Sequence, residues 1–212
     1  MVNGSLSIGV IGIQGAVSEH VAMMKKVFSS FSINGSVRVI KPSDSLSNID
    51  GVILPGGEST TISRVLQSSG LFDELKQRVS EGSLAVMGTC AGCILLASDL
   101  VDNSKDVKLL ELMSIQVQRN AYGRQKESFE QGLDVSSISS STISLFPAVF
   151  IRAPVIKQIK SENVRVLAVD AKDKPVMVQQ DNMLGLTFHP ELSNDARIHY
   201  YFLSLVENVK KK

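Results

Sequence analysis

The sequence predicts an α/β fold with a mainly parallel sheet flanked by helices, and two observations carry the prediction. Short runs rich in Val, Ile and Leu recur through the first half without polar alternation, as in strands buried on both faces. Between them lie stretches with apolar residues at helical spacing, and strand–helix alternation implies crossover connections and parallel pairing.

Strands are expected at 6–13, 37–40, 51–54 and 84–87, with helices at 17–31 and 60–80. The second helix reads as one continuous element because Ile62, Val65, Leu66, Leu71, Leu75 and Val79 keep the helical period. A further helix is expected at 94–100. The second half changes character, with shorter strands at 109–118, 149–151, 164–170, 175–180 and 183–188 joined by tight turns such as Asp181-Asn182. A closing helix spans about 195–210 with Ile198, Phe202, Leu205 and Val209 on one face.

The chain has 212 residues and is read as one domain over 1–212. Seven of the nine residues at 136–144 are Ser or Thr, which reads as a mobile surface insertion, and Lys210, Lys211 and Lys212 read as a frayed basic tail. With 22 basic and 21 acidic side chains, a nucleic-acid surface is not expected. The apolar run SLSIGVIGI is too short for a bilayer and lacks signal-peptide flanks. Two cysteines make no disulfide framework. A cytoplasmic protein without membrane contact is expected.

Those cysteines, Cys90 and Cys93, sit in VMGTCAGCILLA. Spacing alone allows a redox pair, half of a metal site, or a nucleophile with an unrelated neighbour. The setting favours the last. LAVM is a buried strand, a helix follows, and Gly88 and Gly92 lie two residues either side of Cys90. This is the nucleophile-elbow pattern with sulfur in place of the serine oxygen, in which strand and helix pass without a Cβ clash. The helix N-terminus favours a thiolate there, and the Ala91 N–H is an oxyanion donor.

A thiolate nucleophile needs a proton carrier. His20 and His199 fall in expected helices and are read as packing or surface residues. His189 follows the strand MLGLTF at its C-terminal end, where open α/β sheets place their ligand sites. Pro190 is expected to hold His189 extended, so that Glu191, two residues on, reaches its imidazole. Cys90, His189 and Glu191 then form a triad. LPGGEST ends a strand and starts a helix that Ser59 or Thr60 is placed to cap, and its glycines suit a second oxyanion donor.

Together these pieces resemble the class I glutamine amidotransferases, and IGVIGIQGAVSEH, LPGGESTT, GTCAGCILLA, RNAYGRQ, FIRAP and FHPEL resemble their pyridoxal 5′-phosphate synthase glutaminase branch over nearly the whole chain. The resemblance implies a three-layer fold and hydrolysis of L-glutamine to glutamate and ammonia, with no cofactor and no metal. It implies transfer of the ammonia to a TIM-barrel synthase subunit, which joins it with ribose 5-phosphate and glyceraldehyde 3-phosphate. By resemblance, Cys90 is the nucleophile, His189 the acid/base and Glu191 its orienter. Gly57 and Ala91 supply the oxyanion hole, and Gly56, Gly57, Glu58, Arg119, Ile151 and Arg152 line the glutamine site. Gln14 is expected near the partner interface. Read without the resemblance, each arginine is a surface residue.

Position 93 more usually carries an aliphatic residue in this family, so Cys93 is read as a packing substitute. A redox pair gains nothing from His189 and Glu191, and a zinc site needs about four ligands where no second Cys/His cluster exists. The competing readings are the glutaminase of another amidotransferase, a stand-alone DJ-1-like cysteine hydrolase, and a catalytically silent regulatory subunit. The intact triad argues against the last.

Overall fold

The computed structural model describes residues 5–102, 105–119, 128–139 and 144–211. From the N-terminus it forms β1 (Leu6–Ile11), α1 (Val17–Ser30), β2 (Gly35–Ile40), β3 (Gly51–Leu54), α2 (Ser59–Ser69), α3 (Leu71–Ser80), β4 (Ala85–Thr89) and α4 (Ala91–Leu96). Five strands follow: β5 (Ala97–Leu100), β6 (Met113–Gln118), β7 (Ser128–Leu133), β8 (Phe146–Ile151) and β9 (Val155–Ile159). The chain closes with β10 (Val164–Val169), β11 (Pro175–Gln180), β12 (Met183–Leu186), a 3-10 turn (Pro190–Leu192) and α5 (Arg197–Lys210).

Seven strands make the central sheet in the order β10-β11-β12-β4-β3-β1-β2. The five from β12 to β2 pair in parallel, and β10, β11 and β12 pair antiparallel at one edge. The fold is therefore α/β with a mainly parallel sheet, as the apolar runs imply. Alternate residues of each buried strand face opposite layers. Val52 and Leu54 of β3 join Ile62, Leu66, Phe72 and Leu75 of α2 and α3 in one core. Ile53 joins Met24 and Val27 of α1 and Phe202 and Val206 of α5 in the other. Each fully buried Leu or Phe in these cores stabilises the fold by roughly 1.5–3 kcal/mol relative to an exposed one. Smaller sheets, β5-β6-β9 and β7-β8, flank the main one.

The structure corrects two expected helices. The stretch 60–80 is two helices, because Gly70 adopts the left-handed conformation (φ 80°) and ends α2. Leu66, Leu71 and Leu75 pack into the same core on both sides of this break, so the apolar period runs through it unchanged. The stretch 94–100 is helical only to Leu96. The Leu95 and Leu96 carbonyls, which a longer helix would use internally, accept instead from the Leu110 and Leu112 N–H groups at 2.7 and 3.0 Å. Ala97 turns extended (ψ 153°) and starts β5. The strand expected at 109–118 accordingly begins at Met113.

Residues 140–143 of the serine-rich segment lie outside the described residues. Its described ends are fastened: Ile138 packs on the α1/α5 core, and Ser137 Oγ donates to the Leu167 carbonyl at 2.7 Å. Ser144 accepts from Arg197 Nη1 at 2.9 Å. Lys210 belongs to α5, with its ammonium on the Ser5 carbonyl and Asp50 at 2.7 and 2.9 Å. Among the described residues, no helix is long and apolar enough to cross a membrane.

The crossing of α4 over β3 leaves no room for a side chain: a Cβ on Gly92 would lie 2.0 Å from the Leu54 carbonyl oxygen. Gly92→Ala is therefore expected to lower stability by roughly 1–3 kcal/mol or more through overpacking. Gly70→Ala meets open space and is expected to cost about 1 kcal/mol from its left-handed backbone alone. Urea denaturation of both variants checks the contrast, and an unshifted midpoint for Gly92→Ala would contradict the packing.

Candidate active site

Cys90 sits at the turn from β4 into α4 with φ 50° and ψ −104°, a conformation that a residue with a Cβ adopts only when its surroundings force it. The forcing contacts are close. A Cβ on Gly88 would lie 2.6 Å from the Gly92 carbonyl group, and the Cys90 N–H donates to the Leu186 carbonyl at 2.8 Å. The turn carries the sulfur out over the sheet, 3.9 Å from the Ile151 carbonyl oxygen. Cys93, one helical turn on, is fully buried and faces Gly185 of β12. Burial, with Cys90 adding to it, pushes its thiol up to about 12. Both thiols are free.

His189 lies just past the end of β12, where its N–H donates to the Val149 carbonyl of β8 at 2.8 Å. Its Nδ1 meets Glu191 Oε1 at 2.8 Å. The two side chains do meet, but by a different route from the extended dipeptide expected: Pro190 opens a 3-10 turn that brings Glu191 back under the ring. Burial alone would lower the His189 pKa. Its hydrogen bonds to Cys90 and Glu191, and their charges, outweigh that and raise it to about 10. With Nδ1 committed to Glu191, Nε2 is the nitrogen left for the sulfur.

Cys90 and His189 open onto a cleft of about 260 Å³ lined also by Gly56, Gly57 and Glu58, by Arg119, and by Ile151 and Arg152. These residues come from three separate stretches of chain. Gly57 has φ 142°, and a Cβ on Gly56 would lie 2.4 Å from the His189 ring. Gln14 Oε1 accepts from the Glu58 N–H at 3.0 Å, so the QGA loop grips the loop that carries Gly57. Ala91 is the first residue of α4, beside the sulfur. Arg119 Nη1 donates to Ser59 Oγ at 3.2 Å, and Arg152 is held at φ 44°. The rest of RNAYGRQ lies outside the described residues.

The cap of α2 differs from expectation. Glu58, rather than Ser59 or Thr60, caps it, accepting from the Thr60 and Thr61 N–H groups at 3.1 and 2.7 Å. Burial pulls the Glu58 pKa up, but the donors of Thr60 and Thr61 outweigh it and hold the carboxyl below its usual range. A negative charge is thereby fixed at the rim of the cleft.

Two histidines read as packing or surface residues lie in the core behind Glu191. His20 and His199 are fully buried, and His20 Nε2 lies 3.3 Å from Glu191 Oε2. The signal was present: His20 shares the buried face of α1 with Met24 and Val27, and His199 shares that of α5 with Phe202 and Val206. Among the described residues, no group of three or more His, Cys, Asp or Glu side chains is arranged to hold a metal ion.

A thiol on a strand–helix elbow, backed by imidazole and carboxylate above a mainly parallel sheet, is the arrangement of a cysteine amidohydrolase. Sequence comparison is more specific. The SNO glutamine amidotransferase family matches residues 10–209, and the chain belongs to that family. It is 48 % identical over 201 residues to pyridoxal 5′-phosphate synthase subunit PdxT of Pyrococcus furiosus, covering 95 % of this chain and 99 % of that protein. Identity to the same-named protein of Thermococcus onnurineus is 48 % over 198 residues, covering 93 % and 98 %. A solved glutamine amidotransferase structure matches with a TM-score of 0.81 at 41 % identity, covering 94 % of this chain and 98 % of that one.

The two thiols should react differently. Iodoacetamide is expected to label Cys90, which opens on the cleft, and to spare the buried Cys93 while the protein is folded. Peptide mass spectrometry reads the result; equal labelling of both would contradict the burial described.

Proposed function

We propose that this chain is the glutaminase subunit of a pyridoxal 5′-phosphate synthase, hydrolysing L-glutamine to L-glutamate and ammonia and passing the ammonia to a separate TIM-barrel synthase subunit in the cytoplasm. The observation that carries the mechanism is the Cys90, His189 and Glu191 constellation opening on a cleft with charged groups at its rim.

Glutamine lies in the cleft with its side-chain amide over Cys90. The Arg119 and Arg152 guanidinium groups suit its α-carboxylate through charge-assisted bonds, and the Glu58 carboxylate suits its ammonium. The Cys90 thiolate attacks the amide carbon, and the charge on the tetrahedral oxygen falls to the N–H groups of Gly57 and Ala91. His189, protonated and steadied by Glu191, gives its Nε2 proton to the departing nitrogen, so that ammonia leaves and a γ-glutamyl thioester remains. Neutral His189 then takes a proton from water as it attacks the thioester, which frees glutamate and restores the thiolate–imidazolium pair.

The Gly56-Gly57 loop also suits control by the partner. A peptide flanked by glycines rotates at small steric cost, so the Gly57 N–H faces the oxyanion in one state and turns away in the other. Gln14 grips this loop from the QGA turn, on the side assigned to the synthase subunit. Docking that favours the first state raises turnover, and a missing oxyanion donor costs about 100- to 1000-fold.

Ammonia release from glutamine, measured with and without the synthase subunit, tests the reading. Strong activity is expected in the complex and weak activity in the isolated chain; equal rates would remove the gating. In the complex, Cys90→Ala is expected to lose at least about 1000-fold in kcat. His189→Asn should lose more than Glu191→Gln, because the imidazole moves the proton and the carboxylate only supports it. A fully active Cys90→Ala protein would overturn the mechanism.

A further inference from the structure

The triad uses one oxygen of Glu191. The other, Oε2, is buried and makes no well-formed hydrogen bond among the described residues. An ionised carboxylate accepts hydrogen bonds and cannot donate them, and leaving a charged acceptor buried without a donor costs more than leaving a neutral one so. Nε2 of His20 lies 3.3 Å from Oε2. The same nitrogen lies 3.2 Å from Thr89 Oγ1, beside the nucleophile, and Nδ1 of His20 lies 3.0 Å from His199 Nε2.

Neutral His20 has one proton to place. Burial, with the charges of His199 and His189 adding to it, lowers its pKa well below the ordinary value, and burial holds that of His199 down at about 3. Both rings are therefore neutral. Were the His20 proton on Nδ1, its Nε2 lone pair would face the Glu191 carboxylate with no proton between them. His199 would also have to carry its own proton on Nδ1, where no partner exists among the described residues. With the His20 proton on Nε2, both faults vanish. His199 Nε2–H donates to His20 Nδ1, and His20 Nε2–H lies between Thr89 Oγ1, its hydrogen-bond partner at 3.2 Å, and Oε2 at 3.3 Å. What remains alone is the His199 Nδ1 lone pair, and an unused acceptor is a milder fault than an orphaned donor.

We propose that His20 is a positioning residue of the glutaminase, its Nε2–H holding the second oxygen of Glu191 so that the first stays on His189, with His199 fixing the tautomer that allows it. The proposal rests on Cys90, His189 and Glu191 being the catalytic triad. His20 comes from α1 and His199 from α5, so the two helices that close one face of the sheet also set the orientation of the triad carboxylate. A neutral donor suits this place better than a cation: it holds the carboxylate without competing with the His189 imidazolium for its charge.

The test measures glutamine hydrolysis in the complex with the synthase subunit for the unmutated protein, His20→Ala and His20→Gln. Loss of positioning in His20→Ala is expected to lower kcat by about tenfold to a hundredfold with KM unchanged, because His20 does not touch the cleft. The amide N–H of Gln stands near the place of Nε2–H, so His20→Gln should recover most of the loss. Full turnover in His20→Ala, or equal loss in both variants, would overturn the proposal. Ring 15N NMR of the unmutated protein supplies an independent arm, since it needs neither turnover nor partner. It should show His20 and His199 as Nε2–H tautomers, and an Nδ1–H tautomer at His20 would overturn the proposal even if His20→Ala failed to fold. An unmutated complex that released no ammonia would instead defeat the glutaminase reading, and the NMR result would still decide the tautomer.

Discussion

Everything in the site depends on backbone meeting backbone where four strand-end turns converge. The α4 backbone at Gly92 lies against the Leu54 carbonyl at the end of β3, where a Cβ would come within 2.0 Å. The next residues of that chain, Gly56 and Gly57, are pressed between the His189 ring and the QGA turn, and a Cβ on Gly15 would lie 1.8 Å from the Gly56 carbonyl oxygen. These contacts set the distance between the sulfur, the imidazole and the oxyanion loop before any side chain is chosen. A parallel sheet brings such turns to one edge, because every strand of that set ends on the same side.

The second organising feature is electrostatic. Glu191 is buried between His189 on one oxygen and His20 on the other. The two imidazoles are pushed in opposite directions: His189 is raised to about 10, while His20 is lowered well below its ordinary value. Burial acts downward on both. The difference lies in what opposes burial: hydrogen bonds to Cys90 and Glu191, with their charges, raise His189, whereas the charges of His199 and His189 lower His20 further. In the proposed mechanism the first ring is the proton donor and the second a neutral support. Pairs of titratable groups driven apart in this way are a common signature of acid–base sites.

Much of this was legible in the residues. The apolar runs of the parallel strands, the two glycines around Cys90 and the His-Pro-Glu sequence after β12 each have a local physical meaning, and the structure brings Cys90, His189 and Glu191 together at the ends of those strands. The features that escaped were those that local pattern cannot carry. The break at Gly70 leaves the apolar period intact, because both helices face the same core. The run 94–97 after Cys93 is apolar, and short apolar runs fit helix and strand equally; the Leu110 and Leu112 N–H groups, just ahead of β6, decided it by bonding to the Leu95 and Leu96 carbonyls. The meeting of His20 with His199 joins residues 179 positions apart. Each helix shows its own buried histidine, but only the fold reveals that His199 meets His20 and that His20 in turn lies against Glu191.

The central claim is that Cys90 itself attacks the glutamine amide. The most direct measurement quenches the complex in acid during steady-state turnover and maps covalent adducts by peptide mass spectrometry. The account predicts a γ-glutamyl group on Cys90, sensitive to hydroxylamine as a thioester must be. Continued ammonia release with Cys90 unmodified and the adduct on another residue would contradict it.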